Sequence, residues 1–285
     1  MRSRIMWIKS AFPLNIALLT GLFLFRFSLS ATRPRAVVSA VYDGDTIKVR
    51  FGGERSEIVR LIGVDAPELG DTREEVLFWA MMSKRFAFTN LYREDVRLEY
   101  DWERRDRHGR LLAYVFLRES LFNEVMIRRG FAHAFLKYPF REEYRLRFAA
   151  AEQEARNESR GLWRDTPYPL VGPAETKRHI GEMMRVRFVC GRIEGQDKYV
   201  FLHASRADFA ALVERRDLSR FPQLRGLVGN SVTVLGLVEE YRGHPQVLLF
   251  LPLQLKNEDH RARPPASCPD SGRNASNSFP CFWGG

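Results

Sequence analysis

The sequence predicts an α+β protein built on two small β-barrels, and three observations carry that prediction. Apolar residues alternate with polar ones in short runs bounded by turn residues such as Gly52-Gly53. Longer stretches with helical spacing interrupt or follow the first group of runs at three places. A stretch with three prolines then separates that group from a second set of alternating runs.

Residues 1–36 come first. Arg2, Arg4 and Lys9 precede an apolar run over 11–25 that is shorter than the roughly 20 residues of a spanning helix, and Arg26 interrupts it. This predicts a signal peptide, with small residues suited to cleavage before Ala31; a retained N-terminal membrane anchor is the alternative. The expected location is therefore exported, secreted or periplasmic, or else membrane-anchored.

In residues 37–163 the alternation predicts strands over 37–41, 47–51, 58–64, 96–100 and 111–116. Helical spacing predicts α-helices over 74–88, 121–129 (stopped by Gly130) and 142–160 (stopped by Gly161). The last puts Tyr144, Phe148, Ala151 and Ala155 on one core-facing stripe. Three strands, a helix, two strands and two helices fit a closed five-stranded barrel of the oligonucleotide-binding (OB) type with three helices.

Residues 164–181, with Pro167, Pro169 and Pro173, read as a linker. Residues 182–256 repeat the strand pattern over 186–193, 199–204, 208–213, 232–239 and 246–251. A short helix over 221–227 makes this a second small OB-like barrel. The tail, 257–285, is rich in Pro, Ser, Asn and Gly and is expected to be disordered.

Composition limits the function. The 285 residues are 45% hydrophobic and 28% charged, which excludes general disorder, collagen and a multi-span membrane protein. Three cysteines cannot build a disulfide framework; Cys190 falls in an expected strand as a buried apolar residue, while Cys268 and Cys281 could pair in an oxidising compartment. The net charge of +10 invites a polyanion, but residues 1–36 hold six basic groups and no acid, whereas residues 37–163 hold 22 of each sign. The argument for chemistry has to come from particular residues.

Three segments gather acids and arginines at strand ends. Asp43-Gly44-Asp45-Thr46 forms a turn whose carboxylates suit a hard divalent cation. Arg60 sits within a strand, Asp65 at its end, and Glu68 after Pro67, a proline placed to open the next helix. Asp106-Arg107-His108-Gly109-Arg110 is a charged turn before a strand, and arginine suits bidentate contact with phosphate. Each segment alone also reads as an ordinary turn or helix cap.

Taken together, with Phe122-Asn123-Glu124, Arg129-Gly130-Phe131-Ala132 and Gly161-Leu162-Trp163 following in order, these motifs closely resemble the staphylococcal nuclease (thermonuclease) family over residues 37–163. The resemblance implies calcium-dependent hydrolysis of DNA and RNA phosphodiesters to 5′-hydroxyl and 3′-phosphate products. It implies Ca2+ held by Asp45, Asp65, the Ala66 main-chain carbonyl and waters. Glu68 is implied as the residue that abstracts a proton from the attacking water or orients it, and Arg60 and Arg110 as the phosphate clamp. Ala66 stands where members often have threonine. His108 and Leu136 replace aromatic tyrosines of the founding type, and Tyr138 remains to stack on a base.

In the second barrel Arg185, Arg187, Lys198, Tyr199, Tyr241 and Arg242 either line a single-strand groove or form an ordinary solvated sheet face. His133 reads as a structural or surface histidine. The expected function is a calcium-dependent endonuclease acting on DNA, RNA or both. The alternative is a catalytically idle nucleic-acid-binding or scaffold protein on the same fold.

Overall fold

The computed structural model describes residues 34–258. The leader, most of the tail, Cys268 and Cys281 lie outside the described residues.

In the first barrel, β1 (Arg35–Val41), β2 (Thr46–Arg50) and β3 (Ser56–Leu61) form an antiparallel meander. The expected third strand does not run through to residue 64. Gly63, at φ +71°, turns the chain, and a Cβ there would stand 2.6 Å from the Phe148 ring, so the position requires glycine. Val64–Asp65 becomes a separate two-residue strand, β4. Pro67 does not open the next helix either: the Asp71 N–H bonds the Glu68 carbonyl at 3.2 Å, and α1 spans Glu74–Leu91. It outruns the expected end at 88 because Leu91 is fully buried and the Asn90 side chain donates to the Phe86 carbonyl.

Two strands complete the barrel. β5 (Asp95–Glu99) pairs with β1, and β6 (Leu111–Leu117) pairs antiparallel with β5 and parallel with β3. A two-residue extension, β7 (Ser120–Leu121), leads into α2 (Phe122–Arg128). β8 (His133–Ala134) then pairs with β4, setting His133 across from Asp65. α3 (Glu142–Asn157) buries Tyr144, Phe148, Ala151 and Ala155, the predicted stripe, and ends before the expected residue 160.

Between the barrels, β9 (Leu170–Val171) pairs parallel with the next strand, and Pro173–His179 forms a 3-10 helix. The second barrel comprises β10 (Met183–Gln196), β11 (Tyr199–Ala204), β12 (Ala210–Glu214), β13 (Ser231–Tyr241) and β14 (His244–Leu249), with β15 (Leu255–Asn257) appended to β13. β10 is longer than its apolar run because one half pairs with β13 and the other with β11, across a register shift near Cys190, which is buried. The expected short helix over 221–227 is present as a 3-10 helix, Pro222–Gly226, and a further 3-10 turn, Arg215–Arg220, precedes it. Pro222 disfavours helical backbone at Phe221 and cannot donate its own hydrogen bond.

Both barrels close in the same strand order, first–second–third–fifth–fourth, with the third and fifth strands parallel (β3 with β6, β12 with β14). They are two closed five-stranded barrels of OB type. One apolar core extends from the first barrel to Met183, Leu235, Leu237 and Leu251 of the second. No helix among the described residues is long and apolar enough to cross a membrane.

Candidate active site

The Asp43–Thr46 turn links β1 to β2 and is pressed against α1. A Cβ on Gly44 would lie 2.7 Å from the Cβ atoms of both Ala66 and Ser83, so the turn approaches β4 and the helix at a distance only glycine permits. This close approach puts Asp45 beside the end of β4. The carboxylate of Asp45, only 5% exposed, accepts from the Ala66 N–H at 2.9 Å and from the Thr46 hydroxyl at 3.0 Å.

Arg60 on β3 lies directly across from Thr46 in the β2–β3 ladder. Its Nη1 packs onto Asp45 Oδ1 and its Nη2 stands 3.6 Å from Asp65 Oδ1, so two carboxylates converge on one guanidinium. Nη1 is buried against the Asp45 carboxylate. Burial pulls the Arg60 pKa below its ordinary value; Asp43 opposes this most strongly, Arg110 reinforces it, and Asp65 and Glu68 oppose it.

Arg110 reaches the same place from the loop before β6. Asp106 organises that loop, accepting from the backbone N–H groups of His108 and Arg110 at 2.9 and 3.0 Å and from Arg110 Nε at 2.7 Å. The gripped guanidinium then points Nη1 at the Thr46 hydroxyl, 3.4 Å away. Arg60, Arg110 and Tyr138 all line one groove of about 490 Å³, together with Trp102, His108 and Phe135. Trp102 and Tyr138 are exposed, so the groove offers flat apolar faces next to two cations.

The predicted site residues are thus brought together unequally. Asp45, Asp65 and Arg60 are in mutual reach, and Ala66 meets Asp45 through its N–H. Arg110 joins through Thr46. Glu68 is exposed and within electrostatic reach of Arg60, with no direct contact to the others. Sequence reasoning gave no role to Asp106 or Thr46, and it offered Asp43 only as a turn carboxylate suited to a cation. Asp43 accepts from the Asp45 N–H at 3.1 Å and carries a pKa raised by burial, which outweighs its Thr46 hydrogen bonds and the charges of Arg60 and Arg110. Asp106 and Thr46 position the arginine. All three stood inside the quoted motifs, and their spacing to Asp45 and Arg110 was the available signal.

No group of three or more His, Cys, Asp or Glu side chains suited to a metal ion occurs among the described residues. The available oxygen set is two carboxylates, Asp45 and Asp65, with a neighbouring carbonyl. All are hard donors, the two carboxylates already meet at Arg60, and such a set with several waters fits a hard divalent cation.

The chain is also similar to known proteins. Residues 58–165 match the family described as staphylococcal nuclease homologue. The chain is 38% identical to the thermonuclease of Staphylococcus intermedius over 140 residues, 48% of this chain and 82% of that protein. It is 36% identical to the thermonuclease of Staphylococcus hyicus over 126 residues, 44% of this chain and 73% of that protein. With endonuclease YncB of Bacillus subtilis (strain 168) the identity is 32% over 127 residues, 44% of this chain and 60% of that protein. With its closed barrel, its motifs in order and relatives matched over most of their length, the chain belongs to the staphylococcal nuclease family.

Proposed function

We propose that the protein is a calcium-dependent nuclease cleaving phosphodiester bonds of DNA, RNA or both. The observation that carries this reading is the convergence of Arg60 and Arg110 on one groove beside Asp45 and Asp65, both of which reach Arg60. Membership of the family makes the chain a phosphodiester-hydrolysing nuclease; the metal's identity and the residue roles are our reading.

Asp45, Asp65 and the Ala66 carbonyl would hold the ion, which when bound supplies charge neutralisation at the phosphate. The protein's own groups account for the rest. Arg60 and Arg110 hold non-bridging phosphate oxygens and offset the charge that grows there as phosphorus becomes five-coordinate. Asp106 keeps Arg110 aimed through its 2.7 Å contact to Nε. Glu68, facing solvent, takes the proton of the attacking water or orients it. Tyr138 and Trp102 offer stacking faces to a base. Products carry a 5′-hydroxyl and a 3′-phosphate.

The leader extends the reading to an exported or membrane-tethered enzyme, a proposal that rests on residues 1–36 alone. N-terminal sequencing of protein from the producing cell tests it. The catalytic reading is tested by digesting single-stranded DNA and RNA with calcium, with magnesium and with chelator, and by identifying the product ends. Cleavage only with calcium, leaving 3′-phosphates, supports it. Binding without cleavage under every condition favours the idle nucleic-acid-binding module.

A further inference from the structure

The catalytic groove carries one large aromatic side chain that the fold itself does not use. Trp102 lies just past the end of β5, lines the groove that holds Arg60 and Arg110, and is 61% exposed. The other described tryptophans are placed differently: Trp79 is buried in the core, and Trp163 is half-buried against His133 and Arg156. Trp102 belongs to neither apolar core, and among the described residues no ring or guanidinium stacks on its indole. A lone exposed apolar residue is ordinary. This one shares its groove with Phe135 and Tyr138, which are exposed as well.

The backbone under the indole is fixed on both sides. The Asp101 carboxylate accepts from the Tyr114 hydroxyl, from the Arg141 N–H at 3.0 Å and from the Trp102 N–H at 2.8 Å. Arg105, three residues further on, donates to the Gly109 carbonyl at 2.7 Å and to Glu57 at 2.9 Å, and it bridges to Leu111, the residue after Arg110. Three residues of chain span at most about 11 Å, so the indole stays close to the phosphate clamp. Tyr138 is tied to the same segment through Glu103, whose charge and hydrogen bond raise the Tyr138 pKa. The acids of the lining are therefore engaged: Asp101 by Tyr114 and Arg141, Glu103 by Tyr138, and Asp106 by Arg110. Arg107 lines the groove within electrostatic reach of Tyr138 and pairs with no carboxylate among the described residues.

We propose that Trp102 is a specificity-determining contact of this groove, its indole stacking on an unpaired base next to the phosphate that Arg60 and Arg110 hold. The inference rests on the nuclease reading for its substrate and deepens it by naming the residue that selects for the base. Two arginines recognise a group that every phosphodiester carries, so discrimination has to come from what flanks the phosphate. An indole face stacks on any base, and one held on a tied backbone loses little freedom when it does so. A base kept inside a duplex does not present its face, so Trp102 favours a strand that is single or frayed at the point of cleavage.

The test uses the full chain in chelator, so that nothing is cut, and follows the anisotropy of two labelled single strands of about four nucleotides, the lower site size for one such barrel. One strand is oligo-dT; the other has the same sugar-phosphate chain with abasic residues throughout. Trp102→Leu is expected to weaken binding of oligo-dT at least about fivefold and to leave binding of the abasic strand unchanged. Trp102→Phe, which keeps a ring, retains most of the affinity for oligo-dT. Three results overturn the proposal. The first is unchanged oligo-dT affinity in Trp102→Leu, and the second is an equal loss for both strands, which would make the residue structural. The third is dissociation of a dimer by that variant in size-exclusion chromatography, which would assign the indole to a second copy of the chain. Wild type that binds the two strands alike overturns it too. If wild type cuts nothing with calcium but the binding pattern holds, the stacking contact stands and the nuclease reading alone fails. If wild type cuts and the pattern is absent, the stacking contact alone fails.

Discussion

Arg85 on α1 and Glu239 on β13 form a bidentate ion pair, with Nε donating to Oε1 at 2.6 Å and Nη2 to Oε2 at 2.5 Å, and this pair joins the two barrels. Thr89, one turn further along α1, donates to the same carboxylate at 2.9 Å. Burial by itself would lower the Arg85 pKa; the bonds and charge of Glu239 more than offset that and raise it. Because Glu239 is only 4% exposed, deleting its partner leaves an uncompensated buried charge. Arg85→Ala is therefore expected to lower stability by about 3–5 kcal/mol, whereas replacing both residues together by apolar ones should cost much less. Urea denaturation of the single and double variants checks this.

The groove makes a kinetic prediction. Arg110→Ala should lower kcat by about two to three orders of magnitude, the loss expected for a donor aimed at developing charge. Asp106→Asn leaves the arginine charge in place but weakens the contact that aims it, so the loss should be smaller and fall on kcat more than on KM. Equal losses in the two variants would mean that Asp106 does more than position.

Asp43 gives the pH dependence. Its folded-state pKa is raised by burial, so its contribution to stability is fully present below the ordinary carboxylate value and is lost as pH rises through the folded value. In metal-free protein at neutral pH, Asp43→Asn should melt at a higher temperature than wild type. That advantage should shrink as pH falls through the raised folded-state value, where wild-type Asp43 itself takes up a proton. Calorimetry across this range reads the effect, and an advantage independent of pH would contradict the assignment.

Asn123 explains why its motif is present. Fully buried, it accepts from the Val115 N–H at 2.8 Å and donates to the Ile62 carbonyl at 2.8 Å, tying the end of β3 to β6. Asn123→Ala strands a backbone donor and an acceptor and should cost at least about 2 kcal/mol in chemical denaturation. Activity per folded molecule should fall as well, since Arg60 and Asp65 flank the tied segment.

Much of this architecture was legible because local pattern and tertiary demand agreed. The alternation on β11 matched the observed strand at both ends, and the α3 stripe followed from helical spacing alone. The misreadings fell where a single residue overrides its neighbourhood. Ile58 through Val64 has the apolar character of one strand, yet the Phe148 ring and the Gly63 turn divide it. Phe221 through Leu227 does hold the short helix expected there, as a 3-10 helix that opens on Pro222. In the site, charge-bearing residues announced themselves by type. Thr46 and Asp106 act by orienting others, and that role exists only once β2, β3 and the loop before β6 are folded together. The Arg85–Glu239 pair, 154 residues apart in sequence, left no local trace.

The central claim is that Glu68 serves hydrolysis at a phosphate held by Arg60 and Arg110. The most direct measurement is the single-turnover cleavage rate of single-stranded DNA by wild type and by Glu68→Ala, at saturating calcium and again in chelator. The account predicts cleavage by wild type with calcium, a loss of about two to four orders of magnitude in Glu68→Ala, and no cleavage by either in chelator, with substrate affinity preserved in the variant. Equal rates for wild type and Glu68→Ala, or cleavage that persists without metal, would contradict it.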